Sequence, residues 1–363
     1  MKKILTLVCV SFLTFYGVRA QNTDVKVLSE KELEQIKAEQ MPVEAERSYN
    51  EGVSAFMSKD YQLAITKFSA AIAGYADFSG AYLNRGMSYA ALNDREKAFK
   101  DFSMVMEMDS TNSQVYFEKA LIYFNGNEYE EAIAELGNAI EIEGNEIKYY
   151  YQRALANFLL ENYQEAIVDL DRILKIDPDF AYAYNDKGSA YKELNELDKA
   201  AESYKMAVNK DKKFKMAYNN LGTTYRKQKK YNLAIDAFTS AIALDKESYI
   251  AYNNRGYAKL ENGDYEGAIA DFDKVIQLKP DYAYAFNNKA SAYIKMEKWE
   301  EAVKQCDYAI RINPEYGYAF YNRGIAKEML HQEEKACEDW LKAVELGVET
   351  ANSYYANSEC NNF

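Results

Sequence analysis

The chain is poor in the residues on which most chemistry depends. It has one histidine, His331, and neither a C-x-x-C nor an H-E-x-x-H cluster, nor a glycine-rich phosphate cradle. His331 has no serine–acid pairing or metal-ligand spacing around it and reads as a turn residue, so no catalytic residue, metal site or cofactor is expected. Positive charge is also short, with 44 Lys and Arg against 57 Asp and Glu for a net charge of −13. Such a surface repels phosphate backbones, which removes nucleic acid from the expected partners. Only one apolar run is long, Ile4 to Val18, and nothing after it approaches the ~20 residues of a membrane span.

That run belongs to MKKILTLVCVSFLTFYGVRAQ, in which two lysines precede the apolar stretch and Val18-Arg19-Ala20 precedes Gln21. The order is that of a secretory signal peptide, residues 1–20, cleaved after Ala20. Cys9 follows Val8, where a lipid-acceptor cysteine wants a small residue. Cleavage removes the three bases Lys2, Lys3 and Arg19 and no acid, taking the net charge from −13 to −16. The expected destination is the periplasm, the cell envelope or the exterior, with no membrane span in the mature chain. Cys306, Cys337 and Cys360 then lie where disulfides persist. Residues 21–44 read as a flexible polar segment with too few apolar residues to fold alone, although Ser29 and Glu32 have capping-box spacing.

From residue 45 to residue 350 the sequence repeats without an insertion. The windows are 45–78, 79–112, 113–146, 147–180, 181–214, 215–248, 249–282, 283–316 and 317–350. Window 249–282 shows the pattern, with Tyr252, Gly256, Ala268, Phe272 and Pro280 at its fourth, eighth, twentieth, twenty-fourth and thirty-second places. The eighth place is always Gly or Ala, the twentieth is always Ala, and the twenty-fourth is bulky in nearly every copy. This spacing resembles the tetratricopeptide repeat, a helix–turn–helix unit of thirty-four residues. The resemblance implies an all-α, right-handed α-solenoid of nine repeats in which small residues let two antiparallel helices touch and the large twenty-fourth residue fills space against the next repeat. Pro178, Pro280 and Pro314 fall between repeats, where a helix must stop.

Places seven and twenty-three lie equally far from the hairpin turn and should face each other. Arg85 with Asp101, Arg153 with Asp169, Arg255 with Asp271, Arg323 with Asp339, and Lys119 with Glu135 are opposite charges there, and Glu51 with Lys67 is the same pair reversed. Where place seven is Leu221, place twenty-three is Ala237. A coordinated reversal and a coordinated loss indicate contact, read as a surface salt bridge worth ~0–1 kcal/mol that sets hairpin register.

After Gly347 the chain reads as a capping helix and tail, residues 351–363. A turn at Gly347 brings Cys337 and Cys360 together on antiparallel helices, and a disulfide is expected, worth ~3 kcal/mol in the chain-entropy model. Cys306 occupies the large core place and reads as a buried thiol.

The resemblance also implies a concave face lined by the second, fifth, sixth, ninth, twelfth and thirteenth places. Carried onto this chain it holds Asn185, Asn219, Asn220, Asn253, Asn254, Asn287, Asn288 and Asn322, with Tyr182, Tyr284 and Tyr318. Amides both donate and accept, so the row could bind successive peptide groups while the tyrosines cover side chains, similar to the asparagine ladder of some peptide-binding members. Asparagine at the sixth place also belongs to the generic repeat pattern, and both readings stand here. A basic clamp for a C-terminal carboxylate is disfavoured, since only Lys148 fits it. On the N-terminal half of the same face, Phe56, Leu83, Phe117, Phe124, Tyr151 and Phe158 read as an exposed apolar groove for an amphipathic helix or for self-association.

The function expected is therefore a non-enzymatic scaffold that holds a protein or peptide partner in its groove. A self-associating envelope-assembly component, hence a possible homo-oligomer, is the second reading. A glycan-binding module using Tyr182, Tyr284 and Tyr318 is the third.

Overall fold

The computed structural model describes residues 42–357 and Cys360. The leader, the polar segment up to residue 41 with its Ser29–Glu32 spacing, and residues 358–359 and 361–363 of the tail lie outside the described residues. All regular structure among the described residues is α-helical, and the chain divides into two compact units, Met1–Ala183 and Tyr184–Phe363.

The first unit holds four helical hairpins: Val43–Met57 (α1) with Tyr61–Gly74 (α2), Ser79–Ala91 (α3) with Arg95–Met108 (α4), Ser113–Asn125 (α5) with Tyr129–Ile142 (α6), and Ile147–Leu159 (α7) with Tyr163–Ile176 (α8). In the second unit Ala181–Glu193 (α9), most of which belongs here, precedes Leu197–Lys210 (α10). There follow Lys215–Lys227 (α11) with Tyr231–Leu244 (α12), Tyr249–Glu261 (α13) with Tyr265–Leu278 (α14), Ala283–Lys295 (α15) with Trp299–Ile312 (α16), Gly317–Met329 (α17) with Glu333–Glu345 (α18), and a last helix, Glu349–Asn357 (α19).

The turn inside each hairpin is built one way. Lys59, Asn93, Asn127, Glu161, Asn195, Lys229, Gly263, Glu297 and His331, all at the fifteenth place, take positive φ between 57° and 86°. The next amide then bonds back to the carbonyl five residues earlier, as from Asp94 to Tyr89 and from Asp264 to Lys259, both 2.9 Å. This is the Schellman closure, normally glycine's work because the left-handed conformation costs other residues ~1–2 kcal/mol. Only Gly263 meets the preference. At the next place Asp60, Asp94 and Asp264 cap the second helix by accepting from the amides of Leu63, Lys97 and Gly267. The turn assigned to His331 is where the structure puts it, at φ 57°.

Packing within a hairpin depends on the eighth place. A Cβ on Gly52, Gly222 or Gly256 would fall 2.6–2.8 Å from the ring of Phe68, Phe238 or Phe272. The ring at place twenty-four thus lies on the eighth place of its own hairpin, whereas the sequence pattern had assigned it to the gap before the next repeat. A methyl group cannot be inserted against these rings unless the buried ring shifts, and the repeats with Ala at place eight, Ala120, Ala154 and Ala290, carry Leu136, Leu170 and Cys306 in place of a ring.

The rungs are more than surface pairs. Arg85 grips Asp101 with both fork nitrogens at 2.8 and 2.7 Å, and Arg153–Asp169, Arg255–Asp271 and Arg323–Asp339 do the same. In each of these the aspartate is buried. Lys67–Glu51 at 2.5 Å is exposed, and Lys119 pairs with Glu135. Sequence reasoning missed two further partners. Lys259 and Lys327 add a second cation to Asp271 and Asp339 at 2.9 and 2.7 Å. The third arginine nitrogen reaches back one repeat, from Arg85 to Ser69, from Arg255 to Thr239 and from Arg323 to Asp307. Each such rung therefore ties a hairpin to its predecessor as well as to itself.

At the C-terminal end, Val348 and Ala351 of the last turn and helix α19 pack on Ala343, Phe320 and Tyr321. A disulfide joins Cys337 to Cys360 beside Trp340. Cys306 is a free, fully buried thiol whose pKa burial raises well above its ordinary value.

Candidate functional site

The first helices of the hairpins carry the candidate site, and the two units use that face differently. In the first unit its large residues are not a groove. Phe56, Leu83, Phe117, Phe124, Tyr151 and Phe158 are all buried, which corrects the reading of an exposed apolar surface. The reason is local. Phe56, Phe124 and Phe158 fold over the turn onto Tyr61, Tyr129 and Tyr163 of their own hairpins, edge to face at 5.1–5.3 Å. Phe117 and Tyr151 reach forward to Tyr149 and Phe180 of the next linker or helix, at 5.3 and 5.9 Å.

At the sixth place of this unit Asn84, Glu118 and Gln152 are buried too, whereas Asn50 is exposed. Asn84 Nδ2 donates to the Tyr49 hydroxyl at 2.9 Å. Glu118, 3% exposed, accepts from Gln114 Nε2 at 2.6 Å, and Gln114 Oε1 accepts from Lys148 Nζ at 2.9 Å. Burial pushes the Glu118 carboxyl up to about 7, against the opposing pull of Gln114 and Lys148. Lys148 is thereby engaged inside the unit, over the rings of Phe117 and Tyr149.

In the second unit the fifth and sixth places form amide rungs between successive helices. Asn220 Nδ2 donates to Asn185 Oδ1 at 3.0 Å, Asn288 to Asn253 at 3.1 Å, and Asn322 to Asn287 at 2.8 Å. Asn287 in turn donates to the Tyr316 hydroxyl at 3.2 Å. Much of the row's hydrogen-bonding capacity is therefore turned inward, with Asn185 and Asn287 buried and the others half-buried. Asn254 and Asn219 are not bonded to each other. Asn219 donates instead to the Lys215 carbonyl at 3.3 Å, and its Oδ1 is buried without a hydrogen-bond partner.

Beside the rungs the second place is open. Ile250 is 44% exposed, Tyr284 49% and Tyr318 55%. Tyr182 is only half-buried and lies 6.2 Å from Phe180. Tyr284 and Tyr318 belong to a run of rings, Tyr249–Tyr282–Tyr284–Tyr316–Tyr318, whose successive centroids are 5.3, 5.2, 4.8 and 6.3 Å apart. The linker tyrosines Tyr282 and Tyr316 complete this row, which sequence reasoning missed. The recurrence of Tyr at places two and thirty-four was the signal for it. Among the described residues no group of three or more His, Cys, Asp or Glu is placed to hold a metal, and no helix is long and apolar enough to cross a membrane.

Helical hairpins stacked through small-on-large packing define an α-solenoid, a class of repeat proteins. Family models described as tetratricopeptide repeat match residues 79–112, 113–146, 147–180, 181–212, 219–283 and 259–319. The chain belongs to the tetratricopeptide repeat family. No curated protein matches it. Among solved structures, the C-terminal part of a TPR repeat-containing protein from Cytophaga hutchinsonii is 20% identical with a TM-score of 0.55, covering 65% of this chain and 98% of that one. A tetratricopeptide repeat protein from Parabacteroides merdae is 18% identical with a TM-score of 0.54, covering 68% and 98%. YrrB, described as a TPR protein with an unusual peptide-binding site, is 24% identical with a TM-score of 0.46, covering 51% and 95%. At these identities the likeness concerns the fold alone. Proteins of this family serve as scaffolds for protein or peptide partners.

Proposed function

We propose that this chain is a non-enzymatic, exported scaffold that captures an extended segment of a protein partner on the first-helix face of its second unit. The observation that carries the reading is the second place of three consecutive repeats. Ile250, Tyr284 and Tyr318 leave 44–55% of their surface in solvent, one helical turn from Asn253, Asn287 and Tyr321. Large side chains exposed in register, near the half-buried amides of Asn253, Asn254 and Asn288, offer apolar cover and hydrogen bonds to the same extended chain. The leader sequence supports export to the periplasm or envelope, and the Cys337–Cys360 pairing suits an oxidising compartment. The self-association reading rested on the apolar groove of the first unit. With those side chains inside the hairpins, no observation favours it.

Panning a displayed library of random short peptides against the chain tests the proposal. Enriched peptides should lose roughly tenfold in affinity, ~1.4 kcal/mol, when Tyr284→Ala and Tyr318→Ala are combined. Equal binding by that double variant would remove this face as the site.

A further inference from the structure

The tyrosine row of the second unit already holds one cation of its own. Lys279 Nζ stands 4.8 Å from the Tyr249 ring centroid and 5.7 Å from that of Tyr282, so these two rings receive an ammonium on their faces. One repeat later the residue equivalent to Lys279 is Asn313. The rings continue as Tyr284, Tyr316 and Tyr318, yet among the described residues no lysine or arginine stands over any of the three. Tyr284 and Tyr318 are the most exposed of the row.

Negative charge is adjacent in the sequence. Asp281 and Glu315 directly precede Tyr282 and Tyr316, are exposed, and enter no ion pair among the described residues. Residues 249–350 as a whole hold eighteen acids against thirteen bases. An electron-rich ring face flanked by an uncompensated carboxylate attracts a cation more strongly than either group alone, and it gives no comparable advantage to an anionic or neutral ligand.

We infer that the partner segment is cationic, presenting lysine or arginine side chains to Tyr284, Tyr316 and Tyr318 beside Asp281 and Glu315. Spacing follows from the stack. Helices in contact lie ~8–10 Å apart, so rings at the same place of successive repeats recur at about that interval. An extended chain of polyproline II type repeats its facing every three residues, over ~9 Å. Basic residues at i and i+3 therefore meet successive repeats. This inference rests on the proposed peptide-binding face and adds the chemistry of what binds there.

The test uses the whole chain and two labelled synthetic peptides followed by fluorescence anisotropy, one with lysine at every third residue in a proline-containing frame and one identical but with every lysine acetylated. The lysine peptide should bind roughly tenfold or more tighter. Replacing a ring by leucine, in Tyr284→Leu and Tyr318→Leu, should weaken it by roughly 2- to 5-fold for each ring, while Tyr284→Phe and Tyr318→Phe retain it. Asp281→Asn with Glu315→Gln should weaken it as well. Glu130→Gln with Glu131→Gln, exposed on α6 of the first unit, should not, which separates this site from general attraction to an acidic chain. Equal binding of the acetylated peptide, unchanged binding by the leucine variants, or capture of a neutral oligosaccharide in place of the lysine peptide would each overturn the inference. If the panned peptides nevertheless lose affinity for the Tyr284→Ala, Tyr318→Ala chain, the binding face stands and only its preference for cations falls.

Discussion

The fifth place of the repeat separates the two units. In the first it is Tyr49, Leu83, Phe117 and Tyr151, all buried. In the second it is Asn185, Asn219, Asn253 and Asn287, followed by Tyr321. An aromatic at that place reaches a neighbour and closes the face from within. An amide there bonds sideways to the next helix in the repeats that carry Ile250 and Tyr284, whose second places remain in water, as does Tyr318, although its repeat carries Tyr321. The same backbone unit thus carries buried apolar side chains on this face in one region and exposed ones in the other, with the residues at places two and five both changed.

The largest expected effect breaks the first half of that contrast. Phe117→Ala should cost ~3–5 kcal/mol of unfolding free energy in denaturant titration, as a core aromatic does, whereas Tyr284→Ala should stay within ~0.5 kcal/mol, as an exposed side chain does. Comparable losses would erase the distinction between the faces.

Next come the rungs. Among the described residues Arg153 is the only cation on the buried carboxylate of Asp169, whose pKa burial raises despite the arginine. Asp271 keeps Lys259 when Arg255 is removed. Arg153→Met should therefore cost ~3 kcal/mol and Arg255→Met clearly less, measured by the same titration.

A pH effect is expected from the first unit. Glu118 has a folded pKa of about 7 against an ordinary 4.5. A carboxyl raised on folding contributes stability that is fully present below the unfolded pKa and is lost as pH rises through the folded one. Between about pH 5 and pH 8 the chain should lose ~1–3 kcal/mol from this group, with less of the melting shift in Glu118→Gln. The smallest effect is expected at the amide rungs, where Asn288→Ala should remove one hydrogen bond and cost ~1 kcal/mol.

Much of this fold was legible because a repeat reports its own geometry. Gly or Ala at place eight and Ala at place twenty specify close helices, and the charge reversal at Glu51 and Lys67 pointed to contact across a hairpin. What stayed hidden depended on reach. The position of Phe124 or Phe158 does not say whether the ring faces solvent or folds over the turn onto Tyr129 or Tyr163. The burial of Asp169 and the backward bond from Arg255 to Thr239 depend on side-chain depth, which charge pairing alone does not carry. The asparagines recur at one-repeat spacing in the sequence, but whether their amides turn outward or toward each other is decided by the spacing between helices.

Hydroxyl-radical footprinting of the chain, with and without a panned peptide, tests the central claim most directly. Tyr284 and Tyr318 should oxidise readily in the free chain and become protected on binding, while Phe117, Phe124 and Phe158 remain protected throughout. Ready oxidation of those phenylalanines in the free chain, suppressed by the peptide while Tyr284 and Tyr318 are unaffected, would contradict it.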